Sequence, residues 1–348
     1  MPGTSISERG GLKWLAPATY ENIRLRVICR GFLASVSQHG TAKGHIAFVI
    51  RGKREDAGLS NCTVSIVVIS HNEGVYLRRT VDSLLAALPS NAEIIVVDDC
   101  STDGSTGGLQ DDGIVRVLRP RKRLGTVKAR NYGARQARGR VIVFSDAHVE
   151  VPQHWYEPLL APLARRTVGA VGPTISMMNY PAGRGYGLRF RDAALNCDWG
   201  KLQGPNPYPV PLLGAGFFAM RRDVFAALGG FDPGMIMYGM EDPDLDIRLW
   251  TFGYECVLVP GVDVAHLFRE DHPFQDWESL LHNILRYGTV HFGQERMRRL
   301  IECYSSDQTL PMAMARVAAS DAWARRREIQ EARCYDDDWY FNKFQMNS

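Results

Sequence analysis

Asp146 and His148 stand two residues apart, directly after the apolar run Val141-Ile142-Val143-Phe144. In an extended segment residues i and i+2 face the same side, so the spacing predicts a carboxylate and an imidazole presented together. Such a pair can hold a divalent ion with coordination positions left for phosphate oxygens, and Mn²⁺ accepts this mixed oxygen and nitrogen set. Aspartate and histidine at this spacing are common by chance; their place at the end of a buried strand is what singles these two out. A second group is Glu241 with Asp242. Acids near a helix N-terminus are favoured by the helix dipole, yet Glu241, Asp242, Asp244 and Asp246 crowd four acids into six residues, more than capping needs. His266 lies in the apolar stretch Val264-Ala265-His266-Leu267, which suits a core histidine as well as a ligand. Arg123 and Gly125 form a short loop whose guanidinium and exposed backbone fit a pyrophosphate.

These groups need a scaffold, and the chain has one to offer. With 348 residues, 45% hydrophobic and 23% charged, it can build one large domain of about 250 residues with appendages. Runs at 64–69, 93–99, 114–118 and 141–144 read as buried strands, and 77–88 and 128–138 as helices. Strand–helix alternation with short loops predicts an α/β fold, Rossmann-like, with a mainly parallel central sheet. The polar candidates fall at the C-terminal ends of the strands, where open α/β sheets bind ligands. Segment 178–212, rich in Gly, Pro, Asn and aromatics, reads as loops over a cleft. Order resumes over 213–219, with helices expected at 222–228, 242–252 and 276–300. Residues 1–60 are expected to be a small β-rich N-terminal extension, 61–300 the catalytic domain, and 301–348 a helical or partly ordered C-terminal tail.

Ten Lys or Arg residues fall between Arg116 and Arg140 with no acid among them, a solvated face or a site for an anionic ligand. No apolar run approaches the roughly 20 residues of a membrane span, and the N-terminus lacks the pattern of a signal peptide. Seven widely spaced cysteines without a CxxC pair fit a reducing compartment, so the expected location is cytoplasmic.

Over roughly residues 62–275 the chain resembles the catalytic domain of the polypeptide N-acetylgalactosaminyltransferases and, more broadly, the family 2 glycosyltransferases of the same GT-A fold. The resemblance rests on motifs kept in order and spacing: Ser70-His71-Asn72-Glu73, Glu93 through Asp98-Asp99, Arg123-Leu124-Gly125 through Ala129-Arg130, Asp146-Ala147-His148, Asp198-Trp199, Gly214-Ala215-Gly216, Phe231-Asp232-Pro233-Gly234-Met235 and His266-Leu267-Phe268-Arg269 with His272-Pro273. It implies a transferase that takes a sugar from a UDP-sugar, with Asp146, His148 and His266 as ligands of Mn²⁺ or Mg²⁺. Asp99 resembles the uridine-binding acid and Arg123 the donor-contacting arginine, with Ser70, Glu73, Gly125 and Gly216 also in donor-binding motifs. Tyr238 stands where the family has a tryptophan and would pack on the donor. Segment 269–280 resembles a loop that closes over the nucleotide, Arg269 helping to neutralise its phosphates.

The match is not complete. Neither the family's Golgi anchor nor its C-terminal lectin domain is expected here, and its Glu-Asn pair is Glu241-Asp242. An aspartate in this motif serves inverting family 2 enzymes as the base that deprotonates the acceptor, so Asp242 favours inversion while the overall similarity favours retention. UDP-GlcNAc or UDP-GalNAc is the expected donor; a peptide, a natural product or an oligosaccharide could each be the acceptor. Two rival readings use the same residues. A nucleotidyltransferase would carry a basic Gly-rich loop where this chain has His71-Asn72-Glu73. A non-catalytic sugar- or nucleic-acid-binding module on the basic run would leave Asp146, His148 and His266 without a role, and no nucleic-acid partner is expected.

Overall fold

Short runs of Val and Ile dominate the first half of the chain because their strands are covered on both faces. The structure, a computed structural model, describes residues 63–109, 111–214, 216–269 and 276–346. The β-rich extension expected over 1–60 and most of the first half of the 269–280 loop lie outside the described residues.

The first unit runs β1 (Val64–Ser70), α1 (Val75–Ala86), β2 (Ala92–Asp98), β3 (Val115–Leu118), α2 (Thr126–Gln136) and β4 (Val141–Asp146). Along β1 the side chains alternate: Ile66 and Val68 join Leu77, Val81 and Leu84 of α1 in one buried cluster, and Val67 joins Val127 and Ala134 of α2 in another. Each such side chain contributes about 1.5–3 kcal/mol when fully buried. β1 pairs in parallel with both β2 and β4. The chain therefore leaves β1 in one direction, through β2 and β3, and returns on its other side at β4. A ligand crevice forms at such a reversal, outside the C-terminal ends of the strands.

Next come β5 (Val149–Glu150), α3 (Tyr156–Leu160), β6 (Val168–Met177), β7 (Tyr180–Gly185), β8 (Leu188–Phe190), β9 (Cys197–Trp199), β10 (Tyr208–Pro209), β11 (Phe217–Arg221), α4 (Arg222–Ala227), α5 (Glu241–Thr251) and β12 (Glu255–His266). The sheet order is β10-β12-β6-β11-β4-β1-β2-β3. β11 runs antiparallel to β4 and β6, while β6 and β12 are parallel. The parallel, Rossmann-like expectation thus describes the β3-β2-β1-β4 half, and β11 turns the other half into a mixed sheet. The region read as loops over 178–212 contains the short strands β7 to β10, of two to six residues each, too short to show a period-2 pattern.

The helix expected over 276–300 is two helices, α6 (Trp277–His291) and α7 (Gln294–Cys303). The break falls where Phe292 and Gly293 are extended and Asp337 accepts from the Gly293 amide at 2.8 Å. α8 (Leu310–Ala319), α9 (Ala322–Ala332) and α10 (Asp337–Lys343) follow. Of the segment 301–348, read as a helical or partly ordered tail, the described residues 301–346 are helical over most of their length and pack on the domain. Leu310, Ala313, Val317, Ala322 and Ile329 share a buried cluster with Leu281 and Leu285 of α6, and the Tyr340 hydroxyl donates to the Pro211 carbonyl at 3.0 Å.

The seam between α6, α9 and the body is ionic. Asp232 is fully buried and meets Arg286 of α6 at 2.9 Å and Arg325 of α9 at 3.0 Å. Burial by itself would raise the Asp232 carboxyl, but the two guanidinium charges hold it well below the ordinary carboxylate range. Removing it takes away a counter-charge that two buried cations share. Asp232→Ala is expected to cost about 3–5 kcal/mol of stability, read as a lower urea midpoint at unchanged slope; a wild-type midpoint would contradict the role assigned to this seam.

Candidate active site

Asp146 is the last residue of β4, and residues 147–148 bend before β5 begins. β5 pairs antiparallel with the end of β12, setting His266 opposite Val149, and the Leu267 amide donates to the His148 carbonyl at 3.0 Å. This register brings His266 beside His148. One ligand atom from each of Asp146, His148 and His266 lies within 4.8 Å of the others. His266 Nε2 is 3.4 Å from Asp146 Oδ2, and the two imidazole centroids are 4.8 Å apart. Asp146 and His148 do face one place, although through a bend instead of straight strand alternation.

The surroundings prepare the three groups for a metal. His148 Nδ1 bonds Glu73 Oε2 at 3.1 Å, and Arg269 bonds the same oxygen. A carboxylate on one ring nitrogen fixes the ring and turns the other towards a metal. Burial opposes the Glu73 charge, yet His148 and Arg269 keep its carboxyl below the usual value. Burial also lowers the His266 pKa against the pull of Asp146, which favours the neutral imidazole a metal requires. His266 Nδ1 is buried without a hydrogen-bond partner among the described residues. For Asp146, burial is outweighed by the His266 bond and the Arg130 charge, so it stays ionised. Gly216 closes the back of the trio: its carbonyl accepts from the Asp146 amide at 2.8 Å and its φ is 100°. A Cβ there would sit 2.6 Å from His266 Cδ2.

The acid pair starts α5, after Met240 in a left-handed conformation (φ 70°). Glu241 and Asp242 are buried against Arg130 of α2, itself only 2% exposed. Arg130 donates to Asp242 Oδ1 at 2.7 Å and to Asp146 Oδ1 at 3.1 Å, with Glu241 Oε1 at 3.6 Å. Burial and the Asp242 charge push Glu241 up to about 7 despite Arg130. Burial raises Asp242 as well, with Arg130 working against it. The other two acids serve the core. Asp244 pairs with Arg248 and with His291 at 2.8 Å, and Asp246 accepts from the Leu213 amide at 2.8 Å.

One cavity of about 510 Å³ collects almost every residue singled out from the sequence. Ser70, Glu73, Asp99, Arg123, Gly125, Asp146, His148, Tyr238, Glu241, Asp242, His266 and Arg269 line it, and Gly216 lies just behind His266. The Ser70 hydroxyl is buried without a hydrogen-bond partner among the described residues, so it is available to a ligand. Asp99 also serves the scaffold. Its carboxylate accepts from the Leu124 amide and, at 2.6 Å, from the Gly125 amide, pinning the Arg123 loop to the rim. Burial, Glu241 and Asp146 raise the Tyr238 phenol far above its usual pKa, keeping it neutral.

Two contributions are not evident from the sequence pattern. Arg130 belongs to the basic run, but it shares a helical stripe with Val127 and Ala134, all buried; that i, i+3, i+7 spacing is the available signal. The rest of the run is dispersed, with Arg116 on Glu93 and Arg119 on Asp98. Trp277, Leu280 and Ile284 of α6, with Tyr304 beyond α7, form an apolar wall; only packing could reveal it.

The mixed sheet, whose switch point carries an Asp-x-His pair and a distant histidine beside an acid pair at a helix start, is a fold of the GT-A type. Residues 65–229 match the model of glycosyl transferase family 2, and residues 197–273 that of the N-terminal domain of galactosyltransferase. Over these residues the chain is similar to the family 2-type glycosyltransferases, and its fold is of the GT-A type. It is 36% identical over 239 residues to N-acetylgalactosaminyltransferase 7 of Drosophila melanogaster, covering 60% of this chain and 40% of that protein. It is 33% identical over 252 residues to polypeptide N-acetylgalactosaminyltransferase 11 of Xenopus tropicalis, covering 65% and 42%. A crystal structure of GalNAc-T7 with UDP, GalNAc and Mn²⁺ has the same fold, with a TM-score of 0.70 at 26% identity over 82% of this chain and 56% of that one. The chain thus spans well under half the length of the two curated relatives named here.

The tight seat of His266 is directly testable. Gly216→Ala should displace the imidazole and weaken Mn²⁺ binding by about 10- to 100-fold, the size of a disturbed ligand support. Titration calorimetry at unchanged far-UV circular dichroism checks this; wild-type Mn²⁺ affinity would contradict it.

Proposed function

We propose that the chain transfers a sugar, GlcNAc or GalNAc first, from a UDP-sugar to an acceptor nucleophile, with Mn²⁺ or Mg²⁺ held by Asp146, His148 and His266. The observation that carries this reading is the convergence of that trio and the Glu241-Asp242 pair on one cavity. The similarity to enzymes named as GalNAc-transferases, one crystallised with UDP, GalNAc and Mn²⁺, supports the choice of donor.

Bound at the trio, a divalent ion would supply Lewis-acid stabilisation of the negative charge on the departing UDP. The protein groups do the rest. Asp99 holds the Arg123–Gly125 loop, so that a guanidinium and backbone amides can meet the donor's charge. Glu73 orients His148 and anchors Arg269 at the same rim. Arg130 balances Asp146 and Asp242 and keeps both carboxylates ionisable in a dry site. Asp242 then takes the proton from the acceptor nucleophile as it attacks the anomeric carbon, while Glu241 contacts the sugar; this is inversion. The retaining, peptide-directed reaction is the second reading, favoured by the identity to the polypeptide enzymes. Leu280, Ile284, Trp277 and Tyr304 line the same cavity and offer uncharged surface. It suits an acceptor with an apolar or aromatic group beside its nucleophile, such as a peptide side chain or a natural-product scaffold. Acceptors that accelerate UDP release should then be enriched in such groups; a preference for charged acceptors would overturn this assignment.

Slow donor hydrolysis reports on the donor side without any acceptor. Asp146→Ala or His148→Ala should abolish metal-dependent UDP release from a panel of nucleotide sugars while the protein stays folded, and full activity in excess EDTA would remove the metal from the proposal. Asp242→Asn should lower kcat of transfer by about 100- to 10,000-fold, the usual contribution of a general base. Near-normal turnover, together with retained anomeric configuration by NMR, would transfer support to the retaining reading.

A further inference from the structure

The loop between Gly234 and Met240 delivers the acid pair to the cavity, and its backbone is not relaxed. Met237 and Met240 have φ of 51° and 70°, in the left-handed region that residues with a Cβ avoid. Such conformations persist only where the surroundings impose them. α5 gives no help, because Met240 makes no side-chain cap to it.

The constraint comes from α6. Asn283 is 1% exposed, and its side chain faces the loop backbone. Its Oδ1 accepts from the Ile236 amide at 2.6 Å. Its Nδ2 donates to the Ile236 carbonyl at 2.6 Å and to the Gly239 carbonyl at 3.0 Å. The adjacent His282 bonds the Gly234 carbonyl at 3.0 Å. The Gly239 amide in turn donates to Glu241 Oε2 at 2.6 Å. A continuous series of hydrogen bonds therefore runs from Asn283 through Gly239 to the first acid. α6 is itself braced from behind, since Arg286 packs where a Cβ on Gly234 would lie and also meets Asp232 and, at 2.8 Å, Asp321.

We propose that Asn283 is a positioning residue for the acid pair: its carboxamide clamps the 236–239 backbone in the strained shape that points Glu241 and Asp242 at the donor. This rests on the functional reading above, because the pair matters only if the site transfers a sugar. Asparagine suits this position because one planar group offers both an acceptor and two donors, matching an amide and two carbonyls at once. Aspartate keeps the acceptor and loses both donors; alanine loses everything.

The test compares Asn283→Ala and Asn283→Asp with the wild-type chain in three measurements. First, hydrogen exchange of the 236–240 amides should accelerate in both variants while exchange in β1 and β4 stays unchanged. Second, Mn²⁺ affinity should stay within about threefold, since none of Asp146, His148 and His266 is touched. Third, kcat for UDP release should fall about 100-fold, the scale of a misplacement near 1 Å. A kcat within threefold of wild type, or exchange unchanged in the loop, overturns the proposal. So does a kcat loss matched by an equal loss of Mn²⁺ binding, which would mark a merely structural residue. If alanine does not fold, the aspartate variant carries the same three readouts. If the wild-type chain releases no UDP from any donor, the functional reading fails, and loop exchange with Mn²⁺ affinity still decides whether Asn283 holds the loop.

Discussion

Arg130 is the interaction on which the site depends. Three carboxylates, the buried Glu241 and Asp242 and the half-buried Asp146, lie within reach of one guanidinium that is itself removed from water. Without that positive charge, burial and mutual repulsion would push Glu241 and Asp242 further towards protonation. The arginine also suffers desolvation, so the arrangement is stable only as a set. Its position on α2 ties the set to β1 and β4, because the same helix face that carries Arg130 carries Val127 and Ala134 into the core.

The sheet supplies the other half of the constraint. Asp146 closes β4, His266 closes β12, and the two-residue strand β5 stitches them together through the Val149–His266 register. A shift of one residue in that pairing would turn the imidazole to the opposite face. Gly216 permits the approach by having no side chain where the His266 ring lies. Backbone geometry thus positions the metal-competent trio, and electrostatics keeps it in usable ionisation states.

The C-terminal helices belong to this design. α6 places Leu280 and Ile284 on the cavity wall and Asn283 on the loop before α5, and α9 reaches back through Arg325 to Asp232. Tyr304 donates to the Ala194 carbonyl at 2.7 Å, closing the cavity against the turn between β8 and β9. The site therefore has a rigid sheet edge on one side and a helix-braced loop on the other.

The local pattern alone determined much of this. Val and Ile runs dictated β1, β2 and β4, because a strand covered on both faces has no other composition open to it, and the polar residues after those runs fell where a parallel sheet must open. Asp146 and His148 were legible for that reason, Glu241 and Asp242 as part of an excess of acids at a helix start, and His266 became so through a family resemblance. Other features had no local signature. The mixed sense of the sheet at β11, the split between α6 and α7, and the division of the α5 acids into two for the cavity and two for the core arise from contacts between distant segments. Arg130 could be read only as one residue of a basic run, a solvated face or an anion site, and of a family motif, because sequence records a residue's charge and not the charges folded against it. Only the tertiary structure could decide that, since a buried cation is defined by its partners, and its partners lie on β4 and α5.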